Sequence, residues 1–289
     1  DIIPGPDRTC MFADDASTNG RAPLSYPALK SFVAGLDLRK YGISRDSTVC
    51  TAMPNGGEAA VCFWALTNQC VFAPLNPALT LHEVEFELVD LPCHTMILMR
   101  DSTKHYPSSQ VSPAIEESCK AHNVQVLWLV PDPHTVGLFT LEAAAASQPA
   151  PASEAAPADL ALVLHTSGTT KKPKIVPLTH SNLAHGIQFV ASTLRRQQSD
   201  VCLNVMPLFH IHGLIANVGV STYSCSPFVA SSFFGGAHFC DQLDVQGKTP
   251  TWYSAVPTMH EAILLEGEKR GPETLKHSLQ LMRNCSAAL

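Results

Sequence analysis

The chain has 289 residues, of which 45% are apolar and 15% charged, with a formal net charge of −6. Such a length allows about two domains or one large α/β unit with a substantial core, and the acidic balance offers no footprint for nucleic acid. No apolar run approaches the roughly 20 residues that span a bilayer, and the N-terminus lacks a signal-peptide layout, so no transmembrane segment is expected. The ten cysteines form no C-x-x-C pair, and most, such as Cys50, Cys62, Cys70 and Cys202, sit inside apolar runs. They read as buried free thiols of a reducing compartment, cytoplasmic or peroxisomal. The sequence opens on Asp1 rather than methionine, which is compatible with a trimmed targeting segment.

Taken in order, Leu29, Phe32, Val33 and Leu36 recur at helical spacing, which predicts a helix within Leu24–Tyr41 closed by Gly42. Ser47–Met53 reads as a strand, Pro54–Gly57 as a turn and Glu58–Asn68 as a helix. A strand at Cys70–Pro74, a helix at Leu81–Leu91, a strand at Thr95–Met99, a helix near Ala114–His122 and a strand at Val124–Val130 continue the alternation. Near-continuous apolar strands separated by short helices imply an α/β fold with mostly parallel sheets covered by helices. Ligands of such sheets bind beyond the carboxyl ends of the strands.

Alanine-rich sequence interrupted by Pro149, Pro151 and Pro157 comes next. Prolines at that density prevent a helix, so an exposed connector is expected. The expected organisation is a first α/β subdomain over 1–142, a connector over 143–159 and a second α/β subdomain over 160–289.

LALVLHTSGTTKKPKIVPLTH, Leu160–His180, reads as strand, loop, strand. Thr166, Ser167, Gly168, Thr169 and Thr170 supply hydroxyls and close backbone N–H groups, and Lys171, Lys172 and Lys174 supply charge. Short donors, a permissive glycine and nearby cations suit a polyphosphate. An ordinary Ser/Thr turn is the alternative. A Walker A loop is excluded, because Gly168 is the only glycine and Pro173 interrupts the segment where that motif needs a helix start.

Ser181 or Asn182 is then expected to cap a helix carrying Leu183, Ile187, Val190 and Leu194, with Arg195 and Arg196 at its end. A strand at Val201–Met206 delivers PLFHIHG, Pro207–Gly213. On an extended segment His210 and His212 would point to one side, a geometry compatible with a shared metal, but no third ligand is suitably spaced and no metal site is assigned. The plainer alternative packs one histidine and solvates the other. Thr249–Leu264 reads as a strand ending at Val256 and a helix starting with Pro257.

TSGTTKKPKIVPLTH resembles the phosphate-binding signature of the adenylate-forming superfamily, which includes acyl-CoA synthetases, luciferases and peptide-synthetase adenylation domains. That signature is written TSGTTGxPKGV with TH following. Lys171 stands where the family has glycine or serine, and Ile175 where it usually has glycine. PLNPALTLHEVEFELVD, Pro74–Asp90, also looks like the family's N-terminal half. PLFHIHG, TPTWYSAVPTMHEAIL and the closing RNCSAAL most resemble the oxalate-CoA ligase branch.

The resemblance implies that Thr166–Thr170 with Lys171, Lys172 and Lys174 bind the phosphates of ATP, with Mg2+ carried by the nucleotide and CoA as co-substrate. His210 takes the catalytic position between acyl group and phosphates. His212, Ser286, Ala287 and Ala288 are the implied substrate-binding residues. By family comparison, the motifs for adenine and ribose and a mobile C-terminal domain with its catalytic lysine would come after Leu289. The implied function is the N-terminal part of an ATP-dependent acyl-CoA synthetase acting on a carboxylate, with oxalate or another small acid as the candidate; the isolated segment is expected to be inactive. A second reading is a non-catalytic descendant with a protein partner, motivated by Lys171 and Ile175. A peptide-synthetase adenylation domain is a third.

Overall fold

A computed structural model describes residues 7–14, 20–107, 111–166, 174–244 and 248–286. The chain enters through β1 (Thr9–Ala13) and the two-residue β2 (Leu24–Ser25), then α1 (Tyr26–Gly35). Ser25 caps α1, accepting from the Ala28 amide at 3.3 Å. The helix expected over Leu24–Tyr41 is shorter than its apolar spacing implied. Leu36 leaves it in extended conformation, and Gly42, at φ 77°, closes a separate 3-10 turn over Arg39–Tyr41. Gln69 holds the break open by accepting from Leu38 N and donating to Leu36 O.

The alternation continues with β3 (Thr48–Ala52), α2 (Gly57–Thr67), β4 (Val71–Pro74), α3 (Leu81–Asp90), β5 (Cys93–Met99), the short α4 (Ser102–His105), α5 (Pro113–Ala121) and β6 (Gln125–Pro131). Every residue of β3 and β4 is buried, as strands covered on both faces must be. The turn between β3 and α2 is fixed from beneath. Glu58, fully buried, pairs with Arg21 and accepts from Tyr106 Oη, and a Cβ at Gly56 would come within 2.5 Å of the Tyr106 ring.

β7 (Phe139–Ala143) then pairs antiparallel with β6, and an irregular segment leads to β8 (Leu160–Thr166). β9 (Lys174–Thr179) returns antiparallel to β8 and passes into α6 (His180–Leu194). The N-cap of α6 is Thr179, not Ser181 or Asn182. β9 runs directly into the helix, so Asn182 serves as the third residue of a capping box, bonded back to Thr179. After β10 (Cys202–Asn204), residues His212–Gly219 form a π-helix continued by α7 (Val220–Tyr223), and β11 (Phe228–Ala230), α8 (Gly236–Asp241), β12 (Trp252–Ala255), α9 (Pro257–Arg270) and β13 (Leu281–Asn284) complete the described chain.

Two sheets result, in the orders β7-β6-β5-β3-β4-β8-β9 and β13-β12-β10-β11-β1-β2, parallel apart from the β6–β7, β8–β9 and β1–β2 pairs. Each sheet takes strands from both sides of the segment 143–159. β8 lies beside β4 in the first sheet, with Leu162 opposite Phe72, and β1 lies beside β11 in the second, with Met11 opposite Phe228. The connector carries the chain from β7, at one edge of the first sheet, to β8 on the far side of β4. One core cluster accordingly runs through both sheets, from Met11 and Phe63 to Leu164, Ile187 and Phe228. All ten cysteines are free, and seven are buried. Among the described residues no helix is long and apolar enough to cross a membrane.

Candidate active site

The β8–β9 hairpin is in register up to its tip, with Leu164 opposite Val176, His165 opposite Ile175 and Thr166 opposite Lys174. The tip carries Ser167, Gly168, Thr169, Thr170, Lys171 and Lys172, which lie outside the described residues. Lys174 opens β9 in an exposed position. Immediately before the tip, His165 is clamped by α3. Its Nε2 is 3.2 Å from Asp90 Oδ2 and its Nδ1 is 3.7 Å from Glu87 Oε2. Burial, then the neighbouring Glu83 and Asp90, push the Glu87 carboxyl up to about 7. The sequence carries the signal for this clamp, a histidine adjoining the loop and acidic residues spaced along a helix, but not the β4–β8 pairing that brings α3 beside it.

β10 delivers the segment Val205–Ile211, and Asn55 in the β3–α2 turn grips it. Asn55 Oδ1 accepts from Leu208 N at 2.9 Å, while Nδ2 donates to Met206 O at 3.3 Å and to Ser231 O at 2.8 Å. One amide thus ties the carboxyl edge of the first sheet to two strand exits of the second. His210 comes next, with its ring 4.4 Å from that of Phe209. The imidazole reaches solvent, yet partial desolvation pulls its pKa below the ordinary histidine value.

His210 borders a cavity of about 500 Å³ walled by Leu164 and His165 of β8, Val176 and Leu178 of β9, Gly186 and Val190 of α6, and Ile211 and Ile215. The cavity therefore connects the stem of the hairpin to His210. Its wall is mainly hydrocarbon, suited to an uncharged portion of a ligand.

The segment after His210 is not extended. Leu214 N donates to His210 O at 3.2 Å, and the chain folds back so tightly that a Cβ at Gly213 would lie 2.6 Å from Pro207 O. His210 and His212 consequently have separate surroundings. His212 is buried and bonded through Nε2 to Ser254 Oγ at 2.6 Å. Burial first, then Arg283 and the neighbouring histidines, pull its pKa down to about 4, so the ring is neutral at pH 7. Ser254 Oγ also accepts from Arg283 Nη1 at 3.0 Å, and Asn217 Nδ2 donates to Asn204 Oδ1 at 2.8 Å nearby. No group of three metal-ligating side chains occurs among the described residues.

Ser286 stands just past β13 at φ 77°, a left-handed conformation in which a serine is uncommon. Ala287 and Ala288 lie outside the described residues. The structure thus brings the hairpin stem and His210 to one cavity, and places His212 behind it against β12.

Residues 6–289 match the AMP-binding enzyme family, so the chain is a member of that family. Within it the relatives are CoA ligases. The chain is 32% identical over 94% of its length to a probable CoA ligase of Humulus lupulus, 31% over 98% to an oxalate–CoA ligase of Arabidopsis thaliana, and 33% over 86% to an oxalate–CoA ligase of Saccharomyces cerevisiae. It spans about half the length of these relatives, 51%, 54% and 48% respectively. The fold matches ATP-bound MatB of Rhodopseudomonas palustris at a TM-score of 0.75 and 24% identity, covering 98% of this chain and 52% of that one.

Proposed function

We propose that this chain belongs to an ATP-dependent acid–CoA ligase that activates a small carboxylate as its acyl-adenylate and transfers the acyl group to CoA. The observation that carries the reading is the hairpin stem and His210 meeting at one cavity. In the first step a carboxylate oxygen attacks the α-phosphorus of ATP and pyrophosphate leaves. In the second the CoA sulfur attacks the acyl carbonyl and AMP leaves. Positioning and charge neutralisation dominate such transfers.

Thr166, Ser167, Gly168, Thr169, Thr170, Lys171, Lys172 and Lys174 are assigned to the phosphates. The in-register stem supports this, because it presents the tip at the end of β8, which runs parallel to β4, the edge where α/β folds bind ligands. His210, held low in pKa by desolvation, is assigned to orient the carboxylate, and His212 and Ser286–Ala288 to the acyl side. Mg2+ would arrive with ATP, and no side chain among the described residues is assigned to it. The names of the Arabidopsis and yeast relatives make oxalate the first acid to try.

ATP–pyrophosphate exchange measured on the complete enzyme tests the assignment. Replacing Thr169 and Thr170 together with alanine is expected to lower acid-dependent exchange by roughly 100-fold or more, the scale of lost transition-state donors. Wild-type exchange rates in that double variant would remove the phosphate role. The 289-residue segment alone is expected to form no acyl-CoA.

A further inference from the structure

The last residues of β8 have few ties beyond the hairpin itself. Pairing with β4 rests on Leu162 opposite Phe72, and β4 ends at Pro74, which has no N–H to extend the ladder toward Thr166. β9, the other neighbour, is the outermost strand of its sheet, and Leu164, His165 and Val176 border the cavity of about 500 Å³, so part of the stem meets open space. Support comes from α3. Both ring nitrogens of His165 face its carboxylates, Nε2 at 3.2 Å from Asp90 Oδ2 and Nδ1 at 3.7 Å from Glu87 Oε2, and the imidazole side chain is only 8% exposed. A capping box of Thr80 and Glu83 fixes the start of the helix that carries them.

This bridge needs two protons among three groups. A neutral imidazole has one N–H and one lone pair, so with both carboxylates ionised one ring nitrogen points its lone pair at an anionic oxygen. A second proton, on the ring or on Glu87, turns that repulsion into attraction, and the trio takes it up as a unit. Burial, then Glu83 and Asp90, push the Glu87 carboxyl up to about 7, which makes it the acceptor of that proton. Around α3, β3 contributes the Cys50 thiol, and the packed helix α5 carries Glu116, Glu117 and Lys120, of which Glu116 and Lys120 pair with each other at 2.8 Å. On β9 the nearest charge in register is Lys174, opposite Thr166.

We propose that His165 is a positioning residue of the ligase, bridging α3 to the base of the phosphate loop only while this second proton is bound, so that affinity for ATP is set from α3 and weakens as pH rises. The inference rests on the ATP-dependent ligase reading above. Below about 7 the trio holds its second proton and the bridge is closed, and above it Glu87 is ionised and the Nδ1 side opens. A ligand that needs the bridged form binds with an apparent affinity scaled by the bridged fraction.

The test is the pH dependence of KM for ATP in acid-dependent ATP–pyrophosphate exchange by the complete enzyme, compared among the wild type, His165→Gln and Glu87→Gln. At about pH 6, His165→Gln is expected to raise KM for ATP by about tenfold, the loss falling in KM rather than kcat, as for one charge-assisted contact. Toward about pH 8.5 the wild type loses its own bridge, so the two KM values are expected to converge to within about threefold. Glu87→Gln keeps a donor facing Nδ1 that does not titrate, and is expected to hold KM low across the range, about fivefold below the wild type at the alkaline end. The ionisation of ATP itself is common to all three enzymes and drops out of the ratios. A ratio of His165→Gln to wild type that does not change with pH, or a Glu87→Gln enzyme with no lower KM than the wild type at alkaline pH, overturns the bridge and leaves the ligase reading standing. Exchange by the wild type with none of a panel of mono- and dicarboxylic acids overturns both. Because Glu87→Gln is expected to improve ATP binding, damaged folding in either variant cannot imitate the expected result.

Discussion

His210 stands between two unlike surroundings. Toward β8, β9 and α6 lies an open cavity walled by aliphatic side chains, and toward the π-helix, β12 and β13 lies a tight polar cluster of His212, Asn217, Asn204, Ser254 and Arg283. The first side has room but little to bond with. The second has donors and acceptors but no room, since Asn204, Asn217 and Ser254 are fully buried. A side chain that faces an open cavity has few packing contacts to lose, whereas a buried polar cluster is held by bonds that cannot be replaced.

The largest effect is therefore expected in the cluster. Asn217→Ala removes the donor to Asn204 Oδ1 and opens a void in fully buried surroundings, and is expected to lower stability by about 3 kcal/mol. Urea unfolding at constant m-value measures it. A loss below about 1 kcal/mol would erase the contrast between the two sides.

At the hairpin stem the expected effect depends on pH. The folded-state pKa of Glu87 lies above its unfolded value, so the folded chain binds the extra proton more tightly. Its stabilising contribution is complete at pH values below the ordinary carboxylate pKa and is lost as pH rises toward about 7. The expected loss is about 2 kcal/mol, and Glu87→Gln should flatten the profile across that window. An unchanged profile in the variant would place the titration elsewhere.

The smallest effect belongs to the cavity wall. A Cβ at Gly186, within α6, would first meet Ile215 at 4.0 Å, an ordinary contact. Gly186→Ala is expected to raise stability by about 0.5–1 kcal/mol through helix propensity and a less flexible unfolded chain. A destabilised variant, read from its thermal midpoint, would mean that this side is as tightly packed as the other.

Legibility in the sequence tracks the range of the interactions. The alternation from β3 to β6 is written in local apolar runs, and Pro257 marks the start of α9 as a first-turn residue should. The β8–β9 hairpin is legible for the same reason, because its two strands flank a single turn-rich stretch. Sheet membership is not legible. The pairing of β1 with β11 and of β4 with β8 depends on contacts between distant segments that no local period encodes. His212 illustrates the same limit within the site. Its spacing from His210 is consistent with two ligands on one face, but the fold-back at Gly213 turns it into a core residue. Arg283 carries no sequence signal of its own, since its place depends on the register that sets it against Ser254.

The pairing of β1 with β11 also orders events in time. Tyr26, just after β2, bonds through its hydroxyl to Ser226 O across 200 positions of sequence, at 2.8 Å. During synthesis the opening strand leaves the ribosome long before the segment that completes its sheet exists. Chains with such distant pairings fold slowly, and the waiting edge is a site for mispairing with other molecules. Met11 and Leu24, both with no exposed surface in the finished fold, are the residues left in water during that wait. Expression yield at high temperature is therefore expected to depend on β1 and β2 more steeply than equilibrium stability does.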